Sequence, residues 1–253
     1  MILSEEELQL RTIKLTVAYE GTAYHGFQRQ SNAVSIQQVL EEKLAKLFGH
    51  ELKIAGSGRT DAGVHAYGQV VSFKTSGKIP AGNIPYASRS LLPYDIVVTK
   101  AEEVADDFHA QFSARSKIYV YRIYSHPVPN PFLRNQVWMI QKELDVPAMQ
   151  QAMQAIIGTH DFSAFRASGG TTTSPVRTIM TAQCEVQGPI LELSFWGNGF
   201  LYHMVRNLTG TLMDVGLGKL VAADMKRILE GRDRTKAGIT APAQGLYLKE
   251  VFY

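Results

Sequence analysis

The spacing of apolar residues predicts strands and helices in both halves of the chain. Residues 13–19 alternate between apolar and polar types, which is typical of a β-strand with one buried face. From Ser35 to Gly49 apolar residues recur at helical spacing, and Ser35 with Gln38 has the form of a capping box, so a helix is expected there. By the same criteria, further strands are expected at 67–74, 95–100, 117–125, 178–186, 190–196 and 246–252. Further helices are expected as a short helix that ends at Arg89, from Pro147 to just before Gly158, at 203–215 and at 225–230.

The order of these elements favours an α+β fold. Strands and helices are mixed in both halves without a steady alternation, which favours mostly antiparallel sheets with helices on one face. Acidic residues crowd from Glu102 to Asp107, and none follows until Glu143. We place a domain boundary at this change. The expectation is two α/β domains, 1–106 and 107–253, each built on a mostly antiparallel mixed sheet.

Composition and charge predict a folded protein and suggest a polyanionic partner. The 253 residues are 45% hydrophobic and 19% charged, which suffices for a core and predicts one or two domains. The net charge is only +3, but four stretches hold 11 Lys or Arg and no Asp or Glu, which leaves −8 on the rest. These acid-free stretches are 62–94, 108–142, 162–184 and 193–213. A polyanion such as nucleic acid requires an acid-free surface.

Cysteine usage and the N-terminus bear on the compartment. The single cysteine, Cys184, excludes an internal disulfide and a Cys-rich zinc site, which fits a reducing compartment. The first residues, MILSEEELQLR, are acidic where a signal peptide is basic and then apolar, and no apolar run is long enough to span a membrane. We therefore expect a soluble cytoplasmic protein. The histidines form no H-x-H or H-E-x-x-H pair, so no metal site is expected.

The densest candidate for chemistry is the glycine-rich run GSGRTDAGVHA at 56–66. Its glycines allow tight turns and the close approach of another backbone, and Arg59 and Asp61 stand in its middle. The run lacks the Lys-Ser or Lys-Thr of a P-loop and the G-x-G-x-x-G of a dinucleotide site. Two interpretations remain, a catalytic loop that presents Asp61 or a hairpin loop whose aspartate caps a turn.

A second candidate is the acid-free segment RSKIYVYRIYSH, which interleaves basic and aromatic residues. On a strand, Tyr119 and Tyr121 project from the same face. Basic groups bind phosphates, and aromatic rings stack on unpaired bases with about 1 to 3 kcal/mol per base. The alternative is a strand whose tyrosines belong to the core, because tyrosine is a good strand former.

The third candidate is Arg206 in the run GNGFLYHMVRNLTGTL. It is the only ionised residue between Glu192 and Asp214, on a helix that is otherwise largely apolar. Desolvation of a guanidinium is costly, so this arginine either extends to solvent or pairs with an anion. A loop carboxylate such as Asp61 is a candidate partner.

Six motifs together resemble the tRNA pseudouridine synthase A (TruA) family over nearly the whole chain. In order along the sequence they are YEGTAYHGFQRQ, GRTDAGVHA, FHAQFSA, KIYVYRI, GNGFLYHMVRNLTGTL and APAQGLYL. The resemblance implies the pseudouridine synthase fold and an isomerase that converts uridine to pseudouridine at positions 38, 39 and 40 of the tRNA anticodon stem-loop. It also implies a homodimer, an active-site cleft between the two domains, a basic surface for tRNA, and no cofactor or metal.

The same resemblance implies roles for four residues. Asp61 matches the catalytic aspartate, and Arg59 matches the arginine associated with flipping of the target base. Tyr119 matches the active-site tyrosine, which would stack on uracil, and Arg206 matches the arginine that pairs with the aspartate. For the aspartate, attack at ribose C1′ or promotion of glycal formation there is our hypothesis, and attack at uracil C6 is the competing route.

The sequence departs from the family pattern at two positions, and two other functions are considered beside the one that the resemblance implies. Gln111 stands where the family usually has arginine, and Gly170 stands where it often has cysteine. The first departure would remove one phosphate contact. The rival functions are a non-catalytic RNA-binding protein with the same basic aromatic surface, and a nucleotide-metabolising enzyme with a phosphate loop.

Overall fold

The computed structural model describes residues 10–170 and 172–253, which divide into two compact units. Unit 1 runs through Ala114 and includes Tyr253, and unit 2 comprises 115–252. The division keeps the segment FHAQFSA with unit 1, whereas the boundary proposed from composition lies before it, after residue 106. Residues 1–9, which carry most of the argument against a signal peptide, lie outside the described residues.

Unit 1 is built on an antiparallel sheet. Its elements are β1 (Arg11–Tyr19), α1 (Ile36–Phe48), β2 (Ala55–Gly56), β3 (His65–Thr75), α2 (Ile84–Ser88) and β4 (Ile96–Val104). The strand order is β4–β1–β3, and β2 pairs with β3. The predicted buried face of β1 is confirmed, since Leu15 and Val17 are fully buried. The predicted bounds of α1 are confirmed too, because Ser35 accepts the Gln38 N–H and the left-handed Gly49 follows the last turn.

Unit 2 is also organised around a largely antiparallel sheet. Its elements are β5 (Ser116–Ser125), β6 (Trp138–Ile140), α3 (Val146–Gln154), β7 (Gly158–Asp161), β8 (Val176–Gln187), β9 (Ile190–Gly197), α4 (Met204–Gly216), α5 (Ala222–Gly231) and β10 (Leu246–Phe252). The order β10–β5–β9–β8–β7 is antiparallel throughout, and β6 runs parallel to β5. Helix α3 packs against α4, α5 and β8. The α+β class is confirmed.

The largest difference from the sequence prediction concerns α3. The sequence predicted a helix from Pro147 to just before Gly158, but α3 ends at Gln154 and Gly158 opens β7. Residues 155–157 therefore lie outside the helix, and Gly158 has a φ of 109°, a conformation that favours glycine. Strand β7 has only four residues, GTHD, and none of them gives an alternating apolar signal. No helix within the described ranges is long and apolar enough to cross a membrane.

Candidate functional site

Arg59 and Asp61 lie on one tight loop of unit 1, between β2 and β3. The loop turns where the Val64 N–H donates to the Asp61 carbonyl at 3.1 Å and where Gly63 adopts a φ of 77°. Asp61 is half-buried, and Arg59 is exposed. The backbone at Asp61 thus forms a closed turn, and its side chain starts from a fixed position.

The amide of Gln69 holds the first half of this loop. Gln69 is fully buried on β3. Its Oε1 accepts from the Ser57 hydroxyl at 2.7 Å, and its Nε2 donates to the Gly58 carbonyl at 3.0 Å. A buried amide that is satisfied at both ends favours one arrangement, because any other leaves polar atoms unpaired. Gln69 is therefore a positioning residue for the loop, and sequence reasoning missed it.

The motif YEGTAYHGFQRQ packs directly on the same loop. The Phe27 N–H donates to the Thr60 carbonyl at 3.0 Å, and the Gly63 N–H donates to the Tyr24 carbonyl at 3.2 Å. Gly26 has a φ of 84°, and a Cβ at this position would lie 2.6 Å from the Thr60 carbonyl oxygen. Any other residue would push the loop away, so the close approach requires this glycine.

Two buried ring side chains complete the support of the loop. The Tyr19 hydroxyl shares a hydrogen bond of 2.7 Å with Thr60 Oγ1, and burial raises the pKa of Tyr19 to about 12. His65 Nδ1 accepts the Gly21 N–H at 2.9 Å, which requires that this nitrogen carries no proton. A carboxylate oxygen of Glu20 lies 3.5 Å from the same nitrogen. These contacts tie the loop to β1 and to the segment that follows it.

Tyr119 lies on β5 in unit 2, in register with Leu248 of β10 and Phe195 of β9. Its side chain is nearly buried. The ring meets the Phe200 ring edge-on, with the centroids 5.1 Å apart and the planes at 81°. Phe200 therefore fixes the tilt of the Tyr119 ring. Sequence reasoning missed this role, although the aromatic residue after G-N-G was a signal.

Tyr121 shares the face of Tyr119 but belongs to the core. Its hydroxyl donates to the Pro242 carbonyl at 2.7 Å. A Cβ on Gly245 would lie 2.5 Å from the Tyr121 ring, so the motif APAQGLYL packs tightly on this tyrosine. Burial raises the pKa of Tyr121, and the nearby charge of Arg206 opposes that shift. Of the two interpretations of this segment, the core one holds at Tyr121.

Lys117 lies two residues before Tyr119 on β5. Burial lowers the pKa of Lys117 to about 8. Near that pH a large share of the Lys117 side chains are neutral amines. Lys117 is therefore less positively charged than the sequence pattern of this segment predicts.

Arg206 lies in the first turn of α4, and the segment 238–241 holds it in place. Its Nε donates to the Ala241 carbonyl at 2.7 Å, and the Ala241 N–H donates to the Arg206 carbonyl at 3.1 Å. A Cβ on Gly210 would lie 1.7 Å from the Ile239 carbonyl oxygen, so glycine allows this segment to approach α4. Sequence reasoning considered solvent or an anion for Arg206, and the structure adds a backbone carbonyl as a partner.

The two departures from the family pattern lie at different kinds of position. Gln111 is exposed, and its N–H donates to His109 Nδ1 at 3.1 Å. Gly170 is tightly packed, since a Cβ there would lie 3.1 Å from Tyr202 Cβ. Within the described residues no group of three or more His, Cys, Asp or Glu side chains is placed to hold a metal ion.

The four candidates thus fall into two pairs, with Arg59 and Asp61 on one loop of unit 1 and Tyr119 and Arg206 in unit 2. A family model described as tRNA pseudouridine synthase matches residues 15–113 and 152–253. These ranges include Arg59, Asp61 and Arg206, whereas Tyr119 lies between them. The chain belongs to the tRNA pseudouridine synthase family.

Curated relatives carry a more specific name. The chain is 48% identical over 244 residues to the tRNA pseudouridine synthase A of Thermoanaerobacter sp. (strain X514), covering 96% of this chain and 100% of the relative. It is 47% identical over 245 residues to the protein of the same name from Ruminiclostridium cellulolyticum, with the same coverage. It is 44% identical over 244 residues, again with that coverage, to the tRNA pseudouridine synthase A 2 of Clostridium perfringens (strain 13 / Type A).

Proposed function

We propose that this protein isomerises uridine to pseudouridine in the anticodon stem-loop of tRNA, at positions 38, 39 and 40. The observation that carries the proposal is the loop bearing Asp61, which Gln69 and the close approach of Gly26 hold on a fixed backbone. A single well-positioned carboxylate is what the chemistry needs. Membership of the family and relatives named tRNA pseudouridine synthase A support the substrate class.

The reaction needs no redox partner or second substrate. The glycosidic bond between N1 and C1′ breaks, the uracil turns, and a bond forms between C5 and C1′. The proton on C5 is lost and N1 gains one, so product and substrate are isomers. The chain must supply a nucleophile, an enclosed pocket and a base for the C5 proton. We therefore expect activity without an added cofactor or metal.

Asp61 supplies the nucleophile in this proposal. Carboxylates form covalent glycosyl intermediates in other enzymes, which favours action at ribose C1′. tRNA with 5-fluorouridine separates this route from attack at C6, because fluorine at C5 cannot leave as a proton does and the reaction stalls. In the C1′ route Asp61 leaves C1′ when the bond from C5 to C1′ forms, so the stalled nucleoside should be free of the protein. In the C6 route Asp61 stays bonded to C6, so digestion should leave the nucleoside on the Asp61 peptide.

The other three candidates act on the same uridine. Tyr119 stacks on the uracil and accepts the C5 proton, directly or through a relay. Arg206 pairs with Asp61. Extrusion of the nucleotide from its stem costs a few kcal/mol, and Arg59 occupies the gap that the base leaves. The fixed guanidinium of Arg206 and the exposure of Arg59 support these roles.

Release of tritium from tRNA labelled at uridine C5 tests the function. The native protein should release tritium in proportion to pseudouridine formed, and Asp61→Asn should release none while it still binds tRNA. Asp107→Asn is the matched control, since Asp107 is an exposed aspartate of the same unit. Tritium release by Asp61→Asn at the native rate would refute the role of Asp61. Binding without any release by the native protein would favour the non-catalytic RNA-binding alternative.

The finer parts of the proposal have their own measurements. Pseudouridine mapping of tRNA from cells with and without the protein should show loss at positions 38, 39 and 40 alone. Light scattering should give twice the mass of one chain, since we propose a homodimer. Fractionation should recover the protein from the cytoplasm, the compartment that the single cysteine favours.

A further inference from the structure

A pair of arginines flanks the loop that precedes β8 in unit 2. Burial lowers the pKa of Arg177, and the nearby charge of Arg166 lowers it further. Across residues 10–170 and 172–253, neither guanidinium has a carboxylate as a partner. Both arginines belong to the acid-free stretch 162–184. Neighbouring like charges are unfavourable unless an anion joins them, so the pair is suited to an anionic ligand.

Backbone carbonyls hold both guanidinium groups in place. Arg166 Nη2 donates to the Gly170 carbonyl at 2.8 Å, and Arg177 Nη1 donates to the Ser174 carbonyl at 3.0 Å. A guanidinium has five N–H donors in a planar fork, so most of them remain for a ligand. Phosphate oxygens match this fork, and a side chain that is already held loses little freedom when it binds.

An exposed aromatic ring lies beside Arg166. Gly170 is next to both side chains, because a Cβ there would lie 3.1 Å from Tyr202 Cβ and 3.6 Å from Arg166 Nε. The Ala167 N–H donates to the Tyr202 carbonyl at 3.1 Å, which holds the two loops together. Tyr202 is 44% exposed, and its ring lies on the His203 ring with the centroids 3.9 Å apart. A supported and exposed ring of this kind stacks on unpaired bases.

We propose that Arg166, Arg177 and Tyr202 form an RNA-binding surface of unit 2. The two guanidinium groups bind backbone phosphates of tRNA, and the Tyr202 ring stacks on an unpaired base of the anticodon loop. The proposal rests on the proposed tRNA substrate. Single-stranded RNA is favoured over a duplex, because the bases of a duplex are already paired and stacked. The opposing view is that the arginines only brace the loop through the carbonyls they contact.

Glutamine variants separate these two views, because glutamine keeps N–H donors for the carbonyls and lacks the charge. Binding of an unmodified tRNA transcript is measured against salt concentration in the Asp61→Asn background, so that no substrate is consumed. Arg166→Gln and Arg177→Gln should each weaken binding about tenfold. Each should also reduce the slope of log affinity against log salt by about 0.7 to 1, the value of one lost phosphate contact. Arg227→Gln, which alters an arginine paired with Asp224 on α5, should change neither quantity.

Tyr202 has a different signature from the two arginines. Tyr202→Ala should weaken binding roughly fivefold or more with the salt slope unchanged, since a stacked ring contributes about 1 to 3 kcal/mol per base. Tyr202→Phe should restore binding, because the ring is kept. A salt slope that changes with Tyr202→Ala, or a phenylalanine variant as weak as the alanine variant, would contradict stacking.

A measurement on the native protein keeps the proposal testable if the variants fail to fold. Photocrosslinking to tRNA with 4-thiouridine in the anticodon loop should label the peptide that contains Tyr202. Native affinity and slope in both glutamine variants, or no label on this peptide, would overturn the proposal. Either result leaves tritium release by the native protein intact, so it is distinguishable from failure of the proposed function. Tight, salt-dependent binding without tritium release would instead refute the proposed function alone.

Discussion

Gln69→Leu tests whether one buried amide holds the loop that carries Asp61. Leucine is similar in size to glutamine but has no polar atoms, so the Ser57 hydroxyl and the Gly58 carbonyl each lose the hydrogen bond to Gln69. An unsatisfied buried polar group costs about 1 to 3 kcal/mol. For the loss of these two hydrogen bonds, we expect the free energy of unfolding to fall by about 1 to 3 kcal/mol. A loop displaced by about 1 Å would slow pseudouridine formation about a hundredfold.

Urea unfolding followed by circular dichroism measures the first quantity, and tritium release from labelled tRNA measures the second. Gln183→Leu is the matched control, because Gln183 is an exposed glutamine in a strand and both quantities should stay near the native values. If Gln69→Leu lost less than about 1 kcal/mol and kept the native rate, the amide would not be holding the loop.

Three further perturbations address the backbone, a buried base and the support of α4. Gly26→Ala places a residue with a Cβ in the left-handed region, which costs about 1 to 2 kcal/mol. The rate of tritium release should therefore fall by a larger factor than the affinity for tRNA. Equal losses of rate and affinity would contradict a role of Gly26 in positioning the loop. Burial lowers the pKa of Lys117 to about 8, below about 10.4 in the unfolded chain. Between these two pH values the unfolded state binds more protons than the native state, so the stability of the native protein should rise with pH relative to that of Lys117→Met. A stability difference between the two proteins that stays constant from pH 8 to 10 in urea unfolding would count against this. Asn207 donates to the Phe165 carbonyl at 2.8 Å and accepts a hydrogen bond from the Thr240 hydroxyl at 2.6 Å. Asn207→Leu should therefore lower the free energy of unfolding by about 3 kcal/mol. A near-native midpoint in urea unfolding would refute this prediction.

Much of the fold was predictable because burial of one face leaves a periodic pattern. Strand β1 shows it plainly, with Leu15 and Val17 buried on the predicted side. Strand β3 does not alternate, since most of its residues are buried on both faces, and its start at His65 lay before the predicted one. The short β7 carries no apolar signal at all, so the prediction extended α3 towards it.

The candidate site was predictable where its signals are local. Glycines close in sequence marked the Asp61 loop, and a lone charge in an apolar run marked Arg206. The supports of these residues are not local, because Gln69 contacts Ser57 across 12 positions and Arg206 contacts Ala241 across 35. No periodicity or composition indicates which buried glutamine serves which loop, so only the folded chain identifies it.

The hydrogen bond from Arg206 to Ala241 sets an order of events during synthesis. Tyr119 and Arg206 are made before the residues that hold them, namely Ala241 and the strand β10 that pairs with β5. A ribosome works from the N-terminus, so neither side chain has its native surroundings until residue 252 has left the exit tunnel. The hydrogen bonds from Tyr19 to Thr60 and from Ser57 to Gln69 join residues that emerge much earlier. A nascent chain can therefore form these two hydrogen bonds of the Asp61 loop long before Arg206 has its carbonyl partner, and a partly made protein is not expected to act on tRNA.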